Sequence, residues 1–573
     1  MTTGQAEEWL AQGLADGLLQ QPSSVLPMAG GYLRVAATID VEGKSVGIFI
    51  EIPTDFPLSL PPISLQEPDT LGYLPHVSDL GSVCYADSEG LLLSRQRPDL
   101  VLTWAVEHTQ AVLATGLGPG RVGEFMRELE VYWAQLSETG IYNFLDPSTA
   151  AFTATVYSDR QLRLLAASET QVPRWFRPKT GSVPVIGSAT YLPLLAGTAF
   201  IPPRPEEPFW TIEQLRTLVE PTLAAMSPKR RRQLFKKDGC WKGILVLSIP
   251  TTDGHYSLIG LDYTSAKGFH PFDSRGRDFE LHPVQLHRWE RSYIVPRGGG
   301  KADLTTKKVL LIGCGAIGGH LAYELVRAGV QWLTLVDHDI LTLHNMHRHA
   351  LGKSGLGKFK TDGLRDDIQD KYLYAEVTSI PKKFQEARAA GEIKIESFDL
   401  IIAATGEATL ELYLNEQLRA VPQAPPIIYS WLEPYGLGGH ALLTWPTQAG
   451  CLQCLYTSND PDAPLANRAL FAAPGQEFSV ALSGCGSLHT PYASLDASQT
   501  AILAARLAVN ALTGREKKSP LWSWKGDKRE FKAAGFKTGP RYKLPEETLR
   551  REATVYISAA CPVCGGKTNS PHA

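Results

Sequence analysis

The chain has 573 residues, enough for about four domains of average size, so a single compact fold is not expected. Hydrophobic residues make up 43% and charged residues 20%, the composition of globular domains rather than of a disordered or fibrous chain. Lys and Arg total 56 against 59 Asp and Glu, a net charge of -3. The chain therefore lacks an overall basic character, and we expect no nucleic-acid partner.

Cysteine usage and the N-terminal residues indicate where the protein works. Eight cysteines are too few for a disulfide framework in a chain of this length. The N-terminus is acidic and amphipathic, without a basic or apolar signal segment, and no run of about 20 uncharged apolar residues follows. These features predict a cytoplasmic protein without a membrane segment, in which selected thiols carry out chemistry.

Residues 1–148 are predicted to form an α+β domain. The predicted elements are, in order, a helix (6–20), two strands of a hairpin (Tyr32–Asp40 and Val46–Ile52) and two helices (Val101–Ala114 and Val122–Leu136). A proline-rich stretch and a loop around Cys84 separate the hairpin from the helices.

The rest of the chain divides at a glycine-rich linker, 296–300. Residues 149–297 are predicted to form a mixed domain, with strands at Lys242–Ile249 and His255–Tyr263 and no motif that assigns a function. We expect this block to position its neighbours. Residues 298–573 alternate buried strands and helices, which predicts a parallel α/β sheet. The fold class is thus α/β and multidomain.

A glycine-rich loop in the third block predicts a nucleotide site. The strand Lys307–Ile312 leads directly into Gly313, Gly315 and Gly318, and a helix follows. The first glycine permits a tight turn, the second lets a phosphate approach the backbone, and the third lets the helix pack against the strand. The next strand ends in Asp337, where a carboxylate can bind a ribose hydroxyl.

This loop alone fits an NAD-dependent oxidoreductase as well as an ATP-dependent enzyme, and the residues beyond it favour ATP. Asp339, Asn345, Arg348 and Lys360 follow the ribose-binding strand. A neutral nicotinamide has no need of such a cluster, whereas a triphosphate attacked at its α-phosphorus needs cations and amides to stabilise the developing charge.

With these residues in place, the region 300–565 resembles the adenylation domain of the ThiF/MoeB family and of ubiquitin-activating enzymes. The resemblance implies a Rossmann-like fold, a homodimer, and ATP and Mg²⁺ as cofactors. Asp337 would bind the ribose, with Asp339 beside it, and Asn345, Arg348 and Lys360 would bind the phosphates. The reaction would be adenylation of a protein's C-terminal carboxylate.

Two functional residues of the family have only candidate counterparts in this sequence. Where the family has an Asp near a Thr that binds Mg²⁺, this chain has Gly406 followed by Glu407, so Glu407 is a candidate ligand. The family also borrows an arginine from the partner subunit. Arg288 and Arg291 are candidates for it by position.

Four of the cysteines form two Cys-x-x-Cys pairs, Cys451 with Cys454 and Cys561 with Cys564. Four thiolates make a closed tetrahedral site, so these pairs predict structural Zn²⁺; a redox dithiol is the rival interpretation. The ThiF/MoeB family has the same arrangement, which there holds the C-terminal segment to the domain.

Of the remaining cysteines, Cys485 lies in a small-residue loop before a predicted helix over 495–512. A thiol near a helix N-terminus has its thiolate stabilised. By the resemblance, Cys485 matches the cysteine that takes the acyl group from the adenylate. Cys314 fills the glycine loop, and no motif surrounds Cys240.

Cys84 is the cysteine of a Gly-x-x-Cys loop that follows two strands and a Pro-Pro segment, an order similar to the ubiquitin-conjugating enzyme fold. The family's His-Pro-Asn is replaced here by His76-Val77-Ser78, which removes the asparagine that stabilises the oxyanion. His76, Ser78 or Asp79 would then take that role.

The two resemblances together imply a relay. ATP adenylates the C-terminus of a protein, Cys485 takes the acyl group as a thioester, Cys84 receives it, and an amine on a target protein completes the amide bond. Fusions in this order resemble the activating and conjugating enzymes of CBASS antiphage operons, so the substrate would be a cGAS-like nucleotidyltransferase or a ubiquitin-like protein.

Two other functions stay open. A sulfur-carrier adenylyltransferase of cofactor biosynthesis would use Cys485 for persulfide, and the first domain would only bind. A non-catalytic scaffold with a degenerate nucleotide site is allowed by Gly406.

Overall fold

A computed structural model describes the chain except for residues 88, 160, 236–241, 252–253, 459–464, 482–487 and 566–573. The described residues form two compact units. The first unit comprises 1–169 and 183–288, and the second unit comprises 170–182 and 289–573. None of the helices in the described part of the chain is long and apolar enough to cross a membrane.

The first unit begins with an antiparallel sheet of four strands in the order β1-β2-β3-β4, flanked by helices. Its elements are α1 (Thr3–Ala15), β1 (Gln20–Pro27), β2 (Leu33–Val41), β3 (Lys44–Ile52), β4 (Ile63–Leu65), α2 (Pro98–Leu117), α3 (Arg121–Arg127) and α4 (Leu129–Leu136). Strands β2 and β3 form the predicted hairpin, closed at Val41 opposite Lys44. Alternate residues of β2 are buried, so one face of the sheet packs against the core while the other meets solvent.

The remainder of the first unit is a closed barrel of seven strands in the order β10-β11-β5-β7-β6-β8-β9. The strands are β5 (Thr139–Asn143), β6 (Phe152–Asp159), β7 (Leu162–Ala166), β8 (Val185–Pro193), β9 (Lys242–Pro250), β10 (Tyr256–Ser265) and β11 (Phe279–Arg288), with helices α5 (Ile212–Ala225) and α6 (Pro228–Leu234) between β8 and β9. The barrel starts at β5, ahead of residue 149, because β5 pairs in parallel with both β11 and β7.

One tryptophan ties the helices to the barrel. The indole N–H of Trp133, in α4, donates to the carbonyl of Gly260 in β10 at 2.8 Å, and the side chain is 1% exposed. Trp133 and Leu129 share one hydrophobic cluster with barrel residues such as Leu247 and Ile259. Helix α4 therefore packs into the hydrophobic core of the barrel, whereas the four-stranded sheet packs in a cluster of its own.

The second unit is built on a seven-stranded sheet in the order β14-β13-β12-β15-β16-β17-β20. Its strands are β12 (Lys308–Ile312), β13 (Trp332–Val336), β14 (Glu376–Ile380), β15 (Leu400–Ala403), β16 (Ile427–Leu432), β17 (Gly438–Thr444) and β20 (Leu521–Lys525), with a separate pair β18 (Val480–Ala481) and β19 (Leu488–His489). The strands from β14 to β16 are parallel, and β17 and β20 are antiparallel to their neighbours.

Helices cover both faces of this sheet, which is why strands such as β12 and β15 read as continuous apolar runs. The helices of the second unit are α7 (Arg291–Arg297), α8 (Ala316–Arg327), α9 (Leu343–Met346), α10 (Lys360–Lys371), α11 (Phe384–Ala389), α12 (Ala408–Arg419), α13 (Ser494–Leu512), α14 (Arg529–Ala533) and α15 (Glu546–Arg551). Helices α8, α10 and α13 share one hydrophobic cluster, and α11 and α12 share another. The predicted Rossmann-like α/β fold is confirmed.

Strand order fixes where a ligand can bind. The chain runs from β12 outward to β13 and β14 and then returns to β15 on the other side of β12. In open α/β sheets, ligands bind at the carboxyl ends of the strands where the order reverses in this way. That point is the edge between β12 and β15.

Candidate functional site

The glycine loop lies at this edge and gives each glycine a different environment. Gly313 has φ of +89°, and a Cβ there would lie 2.6 Å from the carbonyl oxygen of Ala404, at the end of β15. A Cβ on Gly318 would lie 1.9 Å from the carbonyl oxygen of Gly313. Gly315 has no atom within 4 Å of such a position, so its backbone is open to a ligand.

The carboxylate of Asp337 holds the loop in place. Its Oδ2 accepts the N–H of Cys314 at 2.7 Å, and its Oδ1 accepts the N–H of Asp339 at 2.8 Å. Asp337 lies directly after β13 and lines a cavity of about 240 Å³ together with Gly313 and Glu407. We call this the ribose-side cavity.

A larger cavity of about 520 Å³ lies on the other side of the loop. It brings together Gly315 and the predicted residues Asn345, Arg348 and Lys360. Its opposite wall is mainly apolar and aromatic: Trp431, Leu432, Leu452, Tyr456, Leu470 and Tyr492. We call this the cation-side cavity. One half offers amides and positive charges, and the other offers a surface for an apolar chain.

Lys360 and Asp339 form an ion pair at the site. The ammonium lies 2.6 Å from Asp339 Oδ2, and Lys360 is only 6% exposed. Burial raises the pKa of Asp339, but the hydrogen bond and charge of Lys360 outweigh it, so that pKa is lowered overall. The Arg348 guanidinium stacks over the ring of Tyr492 at 5.3 Å, and the Asn345 side-chain oxygen accepts the N–H of Thr342 at 3.0 Å.

Sequence reasoning missed a buried carboxyl group in the cation-side cavity. Glu411, in the first turn of α12, is 4% exposed, and its Oε1 accepts both the N–H and the hydroxyl of Thr405 at 3.1 and 2.9 Å. Burial raises the pKa of Glu411 to about 7. Glu407, the residue chosen from the sequence, is exposed and lines the ribose-side cavity instead.

His349 was also missed, and it completes the support of the loop. Its Nε2 lies 2.7 Å from the carbonyl oxygen of Cys314, and its Nδ1 accepts the N–H of Leu351 at 3.1 Å. Since Nδ1 is an acceptor, Nε2 carries the proton and donates it to Cys314. Burial lowers the pKa of His349, in keeping with this neutral form.

The four cysteines of the two Cys-x-x-Cys pairs meet in the second unit. Their sulfur atoms all lie within 4.8 Å of one another, with 3.7 Å from Cys451 to Cys561 and 3.3 Å from Cys454 to Cys564. A disulfide would need about 2.05 Å. Tetrahedral Zn–S bonds of about 2.3 Å place sulfur atoms about 3.8 Å apart, so the four buried thiols fit a zinc ion. Asp337, His338 and Asp339 also lie close together, with Asp337 half-buried and the other two exposed, but Asp339 is already paired with Lys360.

Cys84 is exposed in the first unit and lies beside acidic residues. Its N–H donates to the carbonyl of His76 at 2.8 Å. Burial, Glu128 and Asp87 all raise the pKa of the Cys84 thiol. The loop therefore holds this thiol in its protonated form more strongly than free cysteine.

Two of the three groups considered for an oxyanion role near Cys84, His76 and Ser78, make other contacts. The two ring nitrogens of His76 lie 3.2 Å from Glu124 and 3.3 Å from Glu128, and its N–H donates to the hydroxyl of Tyr132 at 2.7 Å. The hydrogen bond to Glu128 raises the pKa of His76. The Ser78 hydroxyl accepts the N–H of Ser82 at 3.1 Å.

The other residues considered from the sequence are two cysteines, Cys485 and Cys240, and two arginines, Arg288 and Arg291. Cys485 and Cys240 lie outside the described residues. Arg288 forms an ion pair with Glu130 at 2.9 Å inside the first unit. Arg291 stacks over the ring of Tyr374 at 5.1 Å.

Comparison with known proteins identifies both parts of the chain. The ThiF family model matches residues 291–538, and the Prokaryotic E2 family B model matches residues 29–141. The ATP-dependent ubiquitin transferase-like protein Cap2 of Pseudomonas aeruginosa is 27% identical over 327 residues, 54% of this chain and 57% of the relative. The adenylyltransferase and sulfurtransferase uba4 of Aspergillus terreus is 28% identical over 208 residues, 35% of this chain and 41% of the relative.

The chain thus spans about half the length of these curated relatives. Among solved structures, E. coli MccB is 16% identical, and the match covers 47% of this chain and 68% of MccB with a TM-score of 0.34. The two family models fall on the parts of the chain that hold Cys84 and the glycine loop. They confirm the predicted resemblance: this chain is a fusion of an E2-like domain and a ThiF domain.

Proposed function

We propose that this protein uses ATP to activate the C-terminal carboxylate of another protein and transfers it, through Cys485 and then Cys84, to an amine. One observation carries this proposal. Arg348, Lys360 and the open backbone of Gly315 line one cavity at the edge where the strand order of the sheet reverses. The E2-like match on the same chain supplies a second domain for the transfer.

The two cavities beside the glycine loop divide the substrates between them. The ribose would bind Asp337 in the ribose-side cavity, and the triphosphate would cross Gly315 into the cation-side cavity. The C-terminal tail of the protein substrate would lie along the aromatic wall near Trp431 and Tyr492. Its carboxylate would then reach the α-phosphorus from the side on which Arg348 lies.

Adenylation needs negative charge to be stabilised as it develops. A carboxylate oxygen of the tail attacks the α-phosphorus, the bond to the bridging oxygen breaks, and pyrophosphate leaves with that electron pair. Lys360 is held by Asp339 and Arg348 by Tyr492, so both cations are oriented before the phosphates arrive. Such preorganised charge is usually the largest contribution to catalysis.

A magnesium ion would be held by Glu411 rather than by Glu407, the residue chosen from the sequence. Carboxylate oxygens are its preferred protein ligands, and Glu411 shares the cation-side cavity with Arg348 and Lys360. When bound, the ion would neutralise phosphate charge. Glu411 Oε1 accepts two hydrogen bonds from Thr405, which orients the carboxyl group toward that role.

The acyl group would then move between thiols. The Cys485 thiolate attacks the acyl carbon and AMP leaves; the Cys84 thiolate attacks the resulting thioester and the Cys485 thiolate leaves. A target amine attacks the second thioester, loses a proton and forms an amide, and Cys84 is released. The negative charges of Glu128 and Asp87, which raise the pKa of the Cys84 thiol, would attract the ammonium group of a target lysine.

Structural Zn²⁺ at Cys451, Cys454, Cys561 and Cys564 completes the proposal. The ion would link the segment after β17 to the C-terminal residues. Arg468 supports the same link, because its guanidinium donates to the carbonyls of Cys454 and Tyr556 at 2.6 and 3.2 Å.

The sequence resemblance to CBASS enzymes, and a relative named ATP-dependent ubiquitin transferase-like protein, support a role in antiviral defence with a cGAS-like nucleotidyltransferase as the activated protein. A homodimer in the cytoplasm is part of the same proposal. Neighbouring genes for a cyclic-nucleotide synthase with an accessible C-terminal tail would strengthen this assignment.

A sulfur-carrier adenylyltransferase is the second candidate, favoured by the relative named adenylyltransferase and sulfurtransferase. Its products would differ. Labelled sulfur would reach a small molecule or carrier, and no covalent protein conjugate would form.

Removing either cation of the cation-side cavity should disable adenylation. We expect Lys360→Ala and Arg348→Ala to lower ATP–pyrophosphate exchange by about 100-fold or more, since each group stabilises charge that develops on the phosphates. The matched control is Lys358→Ala, an exposed lysine of the same loop paired with Asp366. Exchange that survives Lys360→Ala would remove the role proposed for that residue.

The two glutamates can be separated by metal binding. Glu411→Gln keeps the acceptor for Thr405 but removes the charge, and it should weaken Mn²⁺ binding in the presence of a non-hydrolysable ATP analogue by about 10-fold or more. Glu407→Gln should have little effect. Because the pKa of Glu411 is about 7, Mn²⁺ affinity should fall as the pH drops below 7 and the group becomes protonated. Electron paramagnetic resonance of free Mn²⁺ measures the effect of each variant and of pH on Mn²⁺ binding. Weaker Mn²⁺ binding by Glu407→Gln than by Glu411→Gln would contradict the assignment.

The relay predicts which thioesters form. With ATP and a protein substrate, Cys84→Ala should retain the adduct on Cys485 and lose the final conjugate, while Cys485→Ala should lose both adducts. Non-reducing electrophoresis, with and without thiol, detects them, and Cys240→Ala is the control. Charging of Cys84 that persists in Cys485→Ala would show the order to be wrong.

The zinc proposal predicts about one ion per chain in the purified protein. Cys454→Ser should remove most of the zinc and expose the C-terminal segment to protease, because the three cysteines that remain cannot complete the tetrahedral site. Cys84→Ser should retain full metal content. Elemental analysis settles the point, and a disulfide found by mass spectrometry among the four cysteines would favour the redox interpretation.

A further inference from the structure

The ribose-side cavity has room beyond the position of the ribose. With the ribose on Asp337 and the triphosphate crossing Gly315 into the cation-side cavity, the base of the nucleotide has to occupy the rest of the ribose-side cavity. The residues that line this part lie at the end of β12 and at the starts of α11 and α12. These residues therefore decide which base the protein accepts.

The apolar walls of this part suit the faces of a purine ring. Phe384, in the first turn of α11, is 2% exposed and belongs to the same hydrophobic cluster as Ile312 and Val336. Leu410, in the first turn of α12, packs against that cluster. All four side chains line the cavity. Such walls bind a ring through apolar contact but do not distinguish one purine from another, so selection needs a polar group.

Three carboxylates line the ribose-side cavity, and two of them are engaged. Asp337 accepts the N–H groups of Cys314 and Asp339. Asp339 is paired with Lys360. Glu407 is exposed, and no described residue forms a hydrogen bond or ion pair with its carboxylate. Among the described residues of this cavity, Glu407 is therefore the carboxylate that is available to a base.

A turn at Gly406 determines which cavity Glu407 reaches. Gly406 has φ of +71°, in the left-handed region that glycine adopts without strain. Just before the turn, Thr405 donates its N–H and its hydroxyl to Glu411, and the Thr405 hydroxyl accepts the N–H of Glu407 at 3.1 Å. The departure from the ThiF/MoeB pattern at Gly406 thus accompanies a division of labour, with Glu411 at the cation-side cavity and Glu407 at the ribose-side cavity.

We propose that Glu407 selects adenine by accepting a hydrogen bond from its 6-amino group. An ionised carboxylate only accepts hydrogen bonds, and the 6-amino group of adenine donates them. Guanine has a carbonyl oxygen at the same ring position, and two acceptors that face each other repel. The inference rests on the proposed use of ATP and gives Glu407 a role other than metal binding.

Two nucleotides that differ at one position test this role. The α,β-methylene triphosphates of adenosine and of purine riboside cannot release pyrophosphate, and they differ because the second lacks the 6-amino group. Both are titrated into the full chain with Mg²⁺ in a calorimeter. The purine riboside analogue should bind about 10-fold more weakly or worse, as expected for the loss of one hydrogen bond to a charged acceptor.

Variants of Glu407 separate the hydrogen bond from the structure of the cavity. Glu407→Ala should weaken binding of the adenosine analogue by about 10-fold or more and leave binding of the purine riboside analogue unchanged. Glu407→Gln keeps a carbonyl acceptor, so it should retain most of the preference for adenosine. The matched control is Glu386→Ala, at an exposed glutamate of α11 outside the cavity lining, which should change neither affinity.

The outcomes distinguish failure of this inference from failure of the proposed function. Equal binding of the two analogues by the unaltered protein would overturn selection by Glu407 and leave the use of ATP standing. An equal loss of both affinities in Glu407→Ala would have the same meaning. If neither analogue binds the unaltered protein, the proposed ATP site is wrong, and the role of Glu407 is overturned with it.

Discussion

The candidate site depends on how one peptide, that of Cys314, is held. Its N–H donates to Asp337 and its carbonyl accepts from His349, so the glycine loop is fixed from both sides. Asp337 faces the ribose-side cavity and His349 lines the cation-side cavity. The same two bonds therefore orient the loop and separate the two cavities. Gly315 is left between them with its backbone open, as a phosphate-binding position requires.

Features encoded locally could be predicted from the sequence. The hairpin of β2 and β3 follows from two β-branched runs around a turn, and the strand, glycine loop and helix after Lys307 follow from the fingerprint and its context. The meeting of four cysteines across 110 residues was predictable because each Cys-x-x-Cys pair already presents two thiols to one point. In each of these cases, short-range chemistry decides the geometry.

Features that depend on distant pairing could not be predicted. The barrel closes by parallel pairing of β5 with β11, and these strands are more than 130 residues apart in the sequence. No local sequence pattern predicts that pairing. Residues 170–182 likewise join the second unit although the chain on both sides belongs to the first. Glu411 was missed for a different reason. Glu411 is four residues after Glu407, but Glu407 precedes α12 and has an extended backbone, so the two carboxyl groups do not share a helix face and line different cavities.

Strand β13 provides a physical link between the two edges of the sheet. It is paired along its whole length with β12 and β14, so it cannot slide without losing both ladders. At its start the carbonyl of Gln331 accepts the N–H of Glu376, and at its end the N–H of Asp337 donates to the carbonyl of Ile380. The position of Asp337 at the end of β13 is therefore fixed by both neighbouring strands.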